Sequence, residues 1–131
     1  MIVSSLFLRR VLLLDAAASG ATGLLLLAGG QVLEDVTGLP PAFAGPVGLF
    51  LIGYALAVAW VGGRRTLHAG LVWAVVALNL AWTVESILSV VGGYLDVTSL
   101  GLAFVIAQAL AVAGFAALEI VGVRGSARLA A

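Results

Sequence analysis

Four long apolar stretches, each closed by a short polar or turn-forming break, set the pattern of the chain; they cover residues 6–29, 43–61, 67–91 and 97–123. A helix crossing the hydrocarbon of a bilayer takes about 20 apolar residues, so each stretch is predicted to span a membrane. The first break gathers Gly29, Gly30, Glu34, Asp35, Gly38, Pro40 and Pro41, and its two prolines stop any helix from running through. Residues 31–38 leave room there for one amphipathic turn at the outer surface. The second break is Gly62, Gly63, Arg64 and Arg65; the third is Gly92, Gly93, Tyr94, Leu95 and Asp96. Asp96, Thr98 or Ser99 is placed to cap the last helix by accepting from its free amides. Loops this short make successive helices antiparallel neighbours. The fold class expected is therefore all-α: a single domain forming a membrane-spanning, up-down-up-down four-helix bundle.

Composition agrees with a membrane setting. Of 131 residues 63% are hydrophobic and 9% are charged, with a mean hydropathy of +1.26. Soluble domains run near a quarter charged, so a water-soluble chain of this size is excluded. All six basic residues are arginine, and they balance six carboxylates. Arg9 and Arg10 stand near the start of the first span, Arg64 and Arg65 between the second and third, and Arg124 and Arg128 after the fourth. Positive loops are retained in the cytoplasm, so both termini are expected there, in a bacterial inner membrane. The opening also has the outline of a signal peptide, but Asp15 interrupts its apolar run, which then resumes over residues 24–27 and suits a spanning helix better. Zero net charge leaves no footprint for nucleic acid. The absence of cysteine removes thiolate metal sites and cysteine nucleophiles.

Ionisable side chains in hydrocarbon are expensive and need a partner, a wet cavity or a changed protonation state. Asp15, Glu85 and Glu119 fall in that position. Helical rise puts Asp15 and Glu119 at one level, about 7 to 8 Å inside the arginine boundary. There they either meet each other or are reached by Arg9, Arg10 or Arg124 extending toward water. They read as a cluster closing that end of the bundle, or as a pair that accepts a proton or cation. Glu85 lies about 10 Å from the opposite end, with no basic residue at its level. Pointed into the bundle, it is expected to be protonated and to donate a hydrogen bond. Asn79 and Gln108, about 15 Å from their helix ends, form a second layer with Ser19, Thr22 and Tyr54. Trp82 shares a helix face with Glu85.

Recurrence at three- and four-residue steps groups Gly101, Phe104, Gln108, Ala111, Phe115 and Glu119 on one face of the last helix, and Asp15, Ser19, Thr22 and Gly23 on one face of the first. Ser19 with Gly23, and Gly53 with Ala57, supply small residues for close helix approach. Asn79, Trp82, Ser86, Ser89 and Gly93 mark the third helix, and the four faces are expected to converge on the bundle axis. Trp60, Trp73 and Tyr94 read as interfacial anchors, and His68 as an interfacial polar residue. The phosphate-cradling glycine loop, the serine elbow and the paired-histidine zinc motif are missing. No metal site and no cofactor are implied.

The segments Leu8-Arg9-Arg10-Val11-Leu12-Leu13-Leu14-Asp15, Trp73-Ala74-Val75-Val76-Ala77-Leu78-Asn79-Leu80-Ala81-Trp82, and Gln108-Ala109 with Phe115-Ala116 resemble small four-helix integral membrane proteins of high-GC bacteria. The resemblance covers most of the chain and implies the same fold, with no activity attached. The chain matches small multidrug exporters in size and span number, but departs from them in lacking their central glutamate on the first helix and in its fixed charge bias.

Three functions are compatible with these residues. The first is a non-catalytic bundle whose polar interior packs or binds a small lipophilic ligand or a partner membrane protein, with Ser19, Tyr54, Asn79, Trp82 and Gln108 as ligand-binding residues. The second is a membrane enzyme using Asp15, Glu85 or Glu119 as acid or base on an isoprenoid or epoxide-like substrate. The third is a proton- or cation-coupled carrier acting as an oligomer through the same carboxyls. The expected partners are the lipid bilayer, the ligand, and a second copy or a larger membrane complex.

Overall fold

The computed structural model describes residues 1–128, which form five helices and three two-residue strands. Helix α1 (Leu6–Ala28) begins at Ser5, whose hydroxyl accepts from the Leu8 amide at 3.1 Å. The turn expected in the first break is a full short helix, α2 (Gly30–Thr37), so the described residues form five helices rather than four. Its end is enforced by Gly38, which takes the left-handed conformation at φ 81° that a side chain would resist. The prolines then open a helix as well as closing one: Pro40 is the cap and Pro41 the first residue of α3 (Pro41–Gly63), where a missing N–H costs nothing. His68 caps α4 (Ala69–Val91), accepting from Gly70, and Thr98 caps α5 (Ser99–Arg124), accepting from Gly101. Helices α1, α3, α4 and α5 are each long and apolar enough to cross a membrane.

The helices pack as two pairs. α1 lies closely against α3, and α4 against α5; α1 and α5 join the pairs, while α3 and α4 scarcely meet. The α1–α3 approach is closest where Gly23 faces Gly48: a Cβ on Gly48 would come within 2.5 Å of the Gly23 carbonyl oxygen. Two glycines permit that backbone approach, which is how apolar helices gain packing energy in lipid. The expected device on α3 was Gly53 with Ala57, but both are exposed and nothing approaches Gly53. The outer surface is apolar, with Leu49, Phe50, Leu56, Leu110 and Val121 among its exposed large side chains. Asp15, Asn79 and Glu119 are buried. That distribution inverts the water-soluble one, and the chain is a multi-pass membrane protein.

Each end of the bundle is tied. At one end β1 (Ile2–Val3) is the central strand between β2 (Thr66–Leu67) and β3 (Ala127–Arg128), antiparallel to both. Ile2 and Leu67 are buried there, in a cluster with Leu8, Leu12, Val58 and Val72. At the other end the Thr98 amide donates to the Thr37 carbonyl at 3.0 Å and its hydroxyl to that of Val36 at 2.7 Å, joining the end of α2 to the start of α5. Gly101 lies directly against the Thr37 carbonyl, with no space for a side chain.

Candidate functional site

All four long helices place a polar side chain in one cluster. Asn79 on α4 is its centre: the two Nδ2 hydrogens donate to Asp15 Oδ2 on α1 at 2.8 Å and to Glu119 Oε1 on α5 at 2.7 Å. Its Oδ1 accepts from the Tyr54 hydroxyl on α3 at 2.6 Å. Ser19, one turn beyond Asp15, donates to Asp15 Oδ1 at 3.1 Å. Asp15 and Glu119 are 0% exposed and Asn79 is 2% exposed. Glu119 Oε2 is buried without a hydrogen-bond partner. An amide is suited to this role because it supplies two donors and an acceptor without charge.

The two-layer expectation needs correction. Asn79 belongs with Asp15 and Glu119, not with Gln108. Side chains on a helix lean toward its N-terminus. α4 starts at the sheet end and α5 finishes there, so Asn79 and Glu119 lean toward each other and close a difference in depth that Cα positions alone overstate. The arginines expected here are not among its hydrogen-bond partners: Arg9 Nε donates to the Gly62 carbonyl at 3.3 Å, and Arg10 and Arg124 are exposed. Gln108 instead accepts from the Trp82 indole N–H at 2.8 Å. The buried stripe of α5 runs through Gly101, Val105, Ala109, Ala116 and Glu119, so its inward face is turned from the expected one; Ala111 is exposed.

Where α3 and α4 scarcely meet, a cavity of about 350 Å³ opens. Phe50 and Tyr54 line it from α3 and Leu78 and Trp82 from α4, while the buried Ser19 and Asn79 form its floor. Phe50 and Leu78 are exposed, so the opening lies in the apolar flank of the bundle. Two side-chain bridges cross it: the Tyr54–Asn79 hydrogen bond, and Phe50 stacked on Trp82 with ring centres 6.4 Å apart and planes at 9°. A second cavity of about 190 Å³ lies toward the α2 end, walled by Leu26, Phe43, Leu95 and Phe104. Glu85 borders both cavities. It is exposed rather than pointed into the bundle, because its position on α4 faces the gap that α3 leaves open. A smaller void of about 60 Å³ lies between Asp15, Ser19 and Gln108, and Trp82 walls all three spaces.

Two contributors carried no sequence signal of their own. Phe50 stands one turn before Tyr54 and stacks on it at 6.4 Å, yet one phenylalanine among many apolar residues is unmarked. The Thr83 hydroxyl donates to the carbonyls of Asn79 and Ala109, tying α4 to α5 beneath the cluster. Among the described residues no group of three or more His, Asp or Glu side chains is placed to hold a metal ion. No protein family, curated protein or solved structure matches this chain, so the geometry of the site alone carries the functional argument.

Proposed function

We propose that this chain is a multi-pass protein of the bacterial cytoplasmic membrane that binds a small lipophilic ligand entering sideways from the bilayer between α3 and α4. Its helices run up-down-up-down, with the arginine-bearing end and both termini in the cytoplasm. The observation carrying this reading is the 350 Å³ cavity, apolar in its walls and open on the apolar flank, with a hydrogen-bonded polar floor. Pockets of this size with mostly apolar walls and a few polar groups suit small organic molecules. The alternatives that use carboxyl chemistry are less well supported, because Asp15 and Glu119 lie behind Asn79 and a molecule in the cavity meets a single carboxyl, that of Glu85, with no second one beside it.

Trp82 provides a built-in reporter, since the other tryptophans, Trp60 and Trp73, do not line the cavity. In the W60F/W73F variant, held in phosphatidylcholine nanodiscs, 4-bromophenethyl alcohol is expected to quench Trp82 fluorescence saturably, because bromine quenches on contact. Val112→Phe, which fills the back of the cavity, is expected to abolish saturation. Quenching that rises linearly with the probe's mole fraction in the bilayer, alike in both proteins, would rule out a site.

A further inference from the structure

The hydrogen-bonding groups that line the cavity between α3 and α4 narrow the chemistry of its ligand. Every side-chain donor on that lining is already engaged. The Tyr54 hydroxyl is given to Asn79 Oδ1, the Ser19 hydroxyl to Asp15 Oδ1, the Trp82 N–H to Gln108 Oε1, and both Asn79 N–H groups to the two buried carboxyls. What remains facing the space is acceptors: the lone pairs of the Tyr54 and Ser19 oxygens, and the carboxyl of Glu85 at the mouth.

Two further observations have the same sign. The walls include Phe50, Tyr54 and Trp82, with Phe50 stacked between the other two, and aromatic faces attract cations, most strongly where water is excluded. Among the described residues no basic side chain lines the cavity. A ligand whose polar group only accepts hydrogen bonds finds nothing there to bind it, whereas a donor, and above all a positively charged one, finds acceptors, aromatic faces and a counter-charge.

We propose that the ligand is a lipophilic organic cation of the protonated-amine class, its N–H groups directed at the Tyr54 and Ser19 oxygens, its hydrocarbon against Phe50 and Trp82, and Glu85 its counter-charge. This rests on the ligand-binding reading above and specifies it. A burial cost that would exclude a lone charge from hydrocarbon is offset here by paired negative charge and ring faces.

The test uses three probes of one shape in the W60F/W73F protein in phosphatidylcholine nanodiscs: 4-bromophenethylammonium, 4-bromophenethyl alcohol and 1-bromo-4-propylbenzene, with quenching of Trp82 expressed against the amount of each probe in the bilayer. The ammonium is expected to bind about tenfold more tightly than the hydrocarbon, the scale of a desolvated cation–aromatic contact, with the alcohol between them. Glu85→Gln, a substitution at an exposed position, is expected to remove most of that preference. Saturable binding of all three at equal affinity overturns the cation assignment and leaves the ligand site standing. An ammonium preference unchanged in Glu85→Gln overturns it too, by showing that the preference arises elsewhere. Absence of saturation with every probe removes both readings.

Discussion

At the scale of single residues, Asn79 does more than any other side chain to join the helices, because α1, α3 and α5 each bond to it. Asn79→Leu removes the donor to Asp15 Oδ2, the donor to Glu119 Oε1 and the acceptor of the Tyr54 hydroxyl together, and an unmatched buried polar group costs about 1 to 3 kcal/mol. Gln108→Leu strands the single Trp82 N–H, and loss of one interhelical bond in a membrane protein costs about 0.6 to 2 kcal/mol. Thermal unfolding in detergent is therefore expected to show the larger loss for Asn79→Leu; the reverse order would mean that the cluster is not what holds the bundle. Which residues would be polar and buried was readable in the chain, since Asp15, Ser19, Asn79 and Glu119 break apolar runs. Their grouping was not, because counting residues from a helix end locates the backbone and ignores the lean of the side chain. Glu85 shows the complementary failure: its helix was evident, but the gap beside it depends on how two other helices pack.

At the scale of elements, the four spans were legible to within a few residues, since about 20 apolar residues with turn formers on either side leave little choice. The direction in which each helix faces was harder to read. Here the helices are apolar all round, so periodicity has weak contrast, and the inward stripe of α5 is set by small residues such as Gly101, Ala109 and Ala116. The same physics predicts an asymmetry between two glycines of α3. Gly48→Ala forces a methyl against the Gly23 carbonyl, and overpacking of a close contact costs about 1 to 3 kcal/mol. Gly53→Ala enters open space and should stay within about 0.5 kcal/mol of the parent. Equal effects in an unfolding assay would argue that α1 and α3 do not meet at Gly23 and Gly48.

For the whole molecule, the pairing pattern leaves one flank open: two tight helix pairs share the α1–α5 seam, and only the bridges from Phe50 and Tyr54 cross the other side. Orientation belongs to this scale, and the cysteine-free chain makes it simple to measure. Asp35→Cys and Gly125→Cys replace exposed residues near opposite ends. A membrane-impermeant maleimide added to intact spheroplasts is expected to label Asp35→Cys and to reach Gly125→Cys only after permeabilisation. The opposite result would invert the topology, and labelling of both would indicate mixed insertion.

The three-stranded closure could not be foreseen from strands two residues long, because no periodicity exists over so short a run. It nevertheless sets a condition on biosynthesis. Its middle strand, Ile2–Val3, precedes α1, whereas one of the two neighbours, Ala127–Arg128, follows α5. The strand ahead of the first span therefore gains its second partner only once the fourth span has been made, so the seal on that face closes after all four spans are in place.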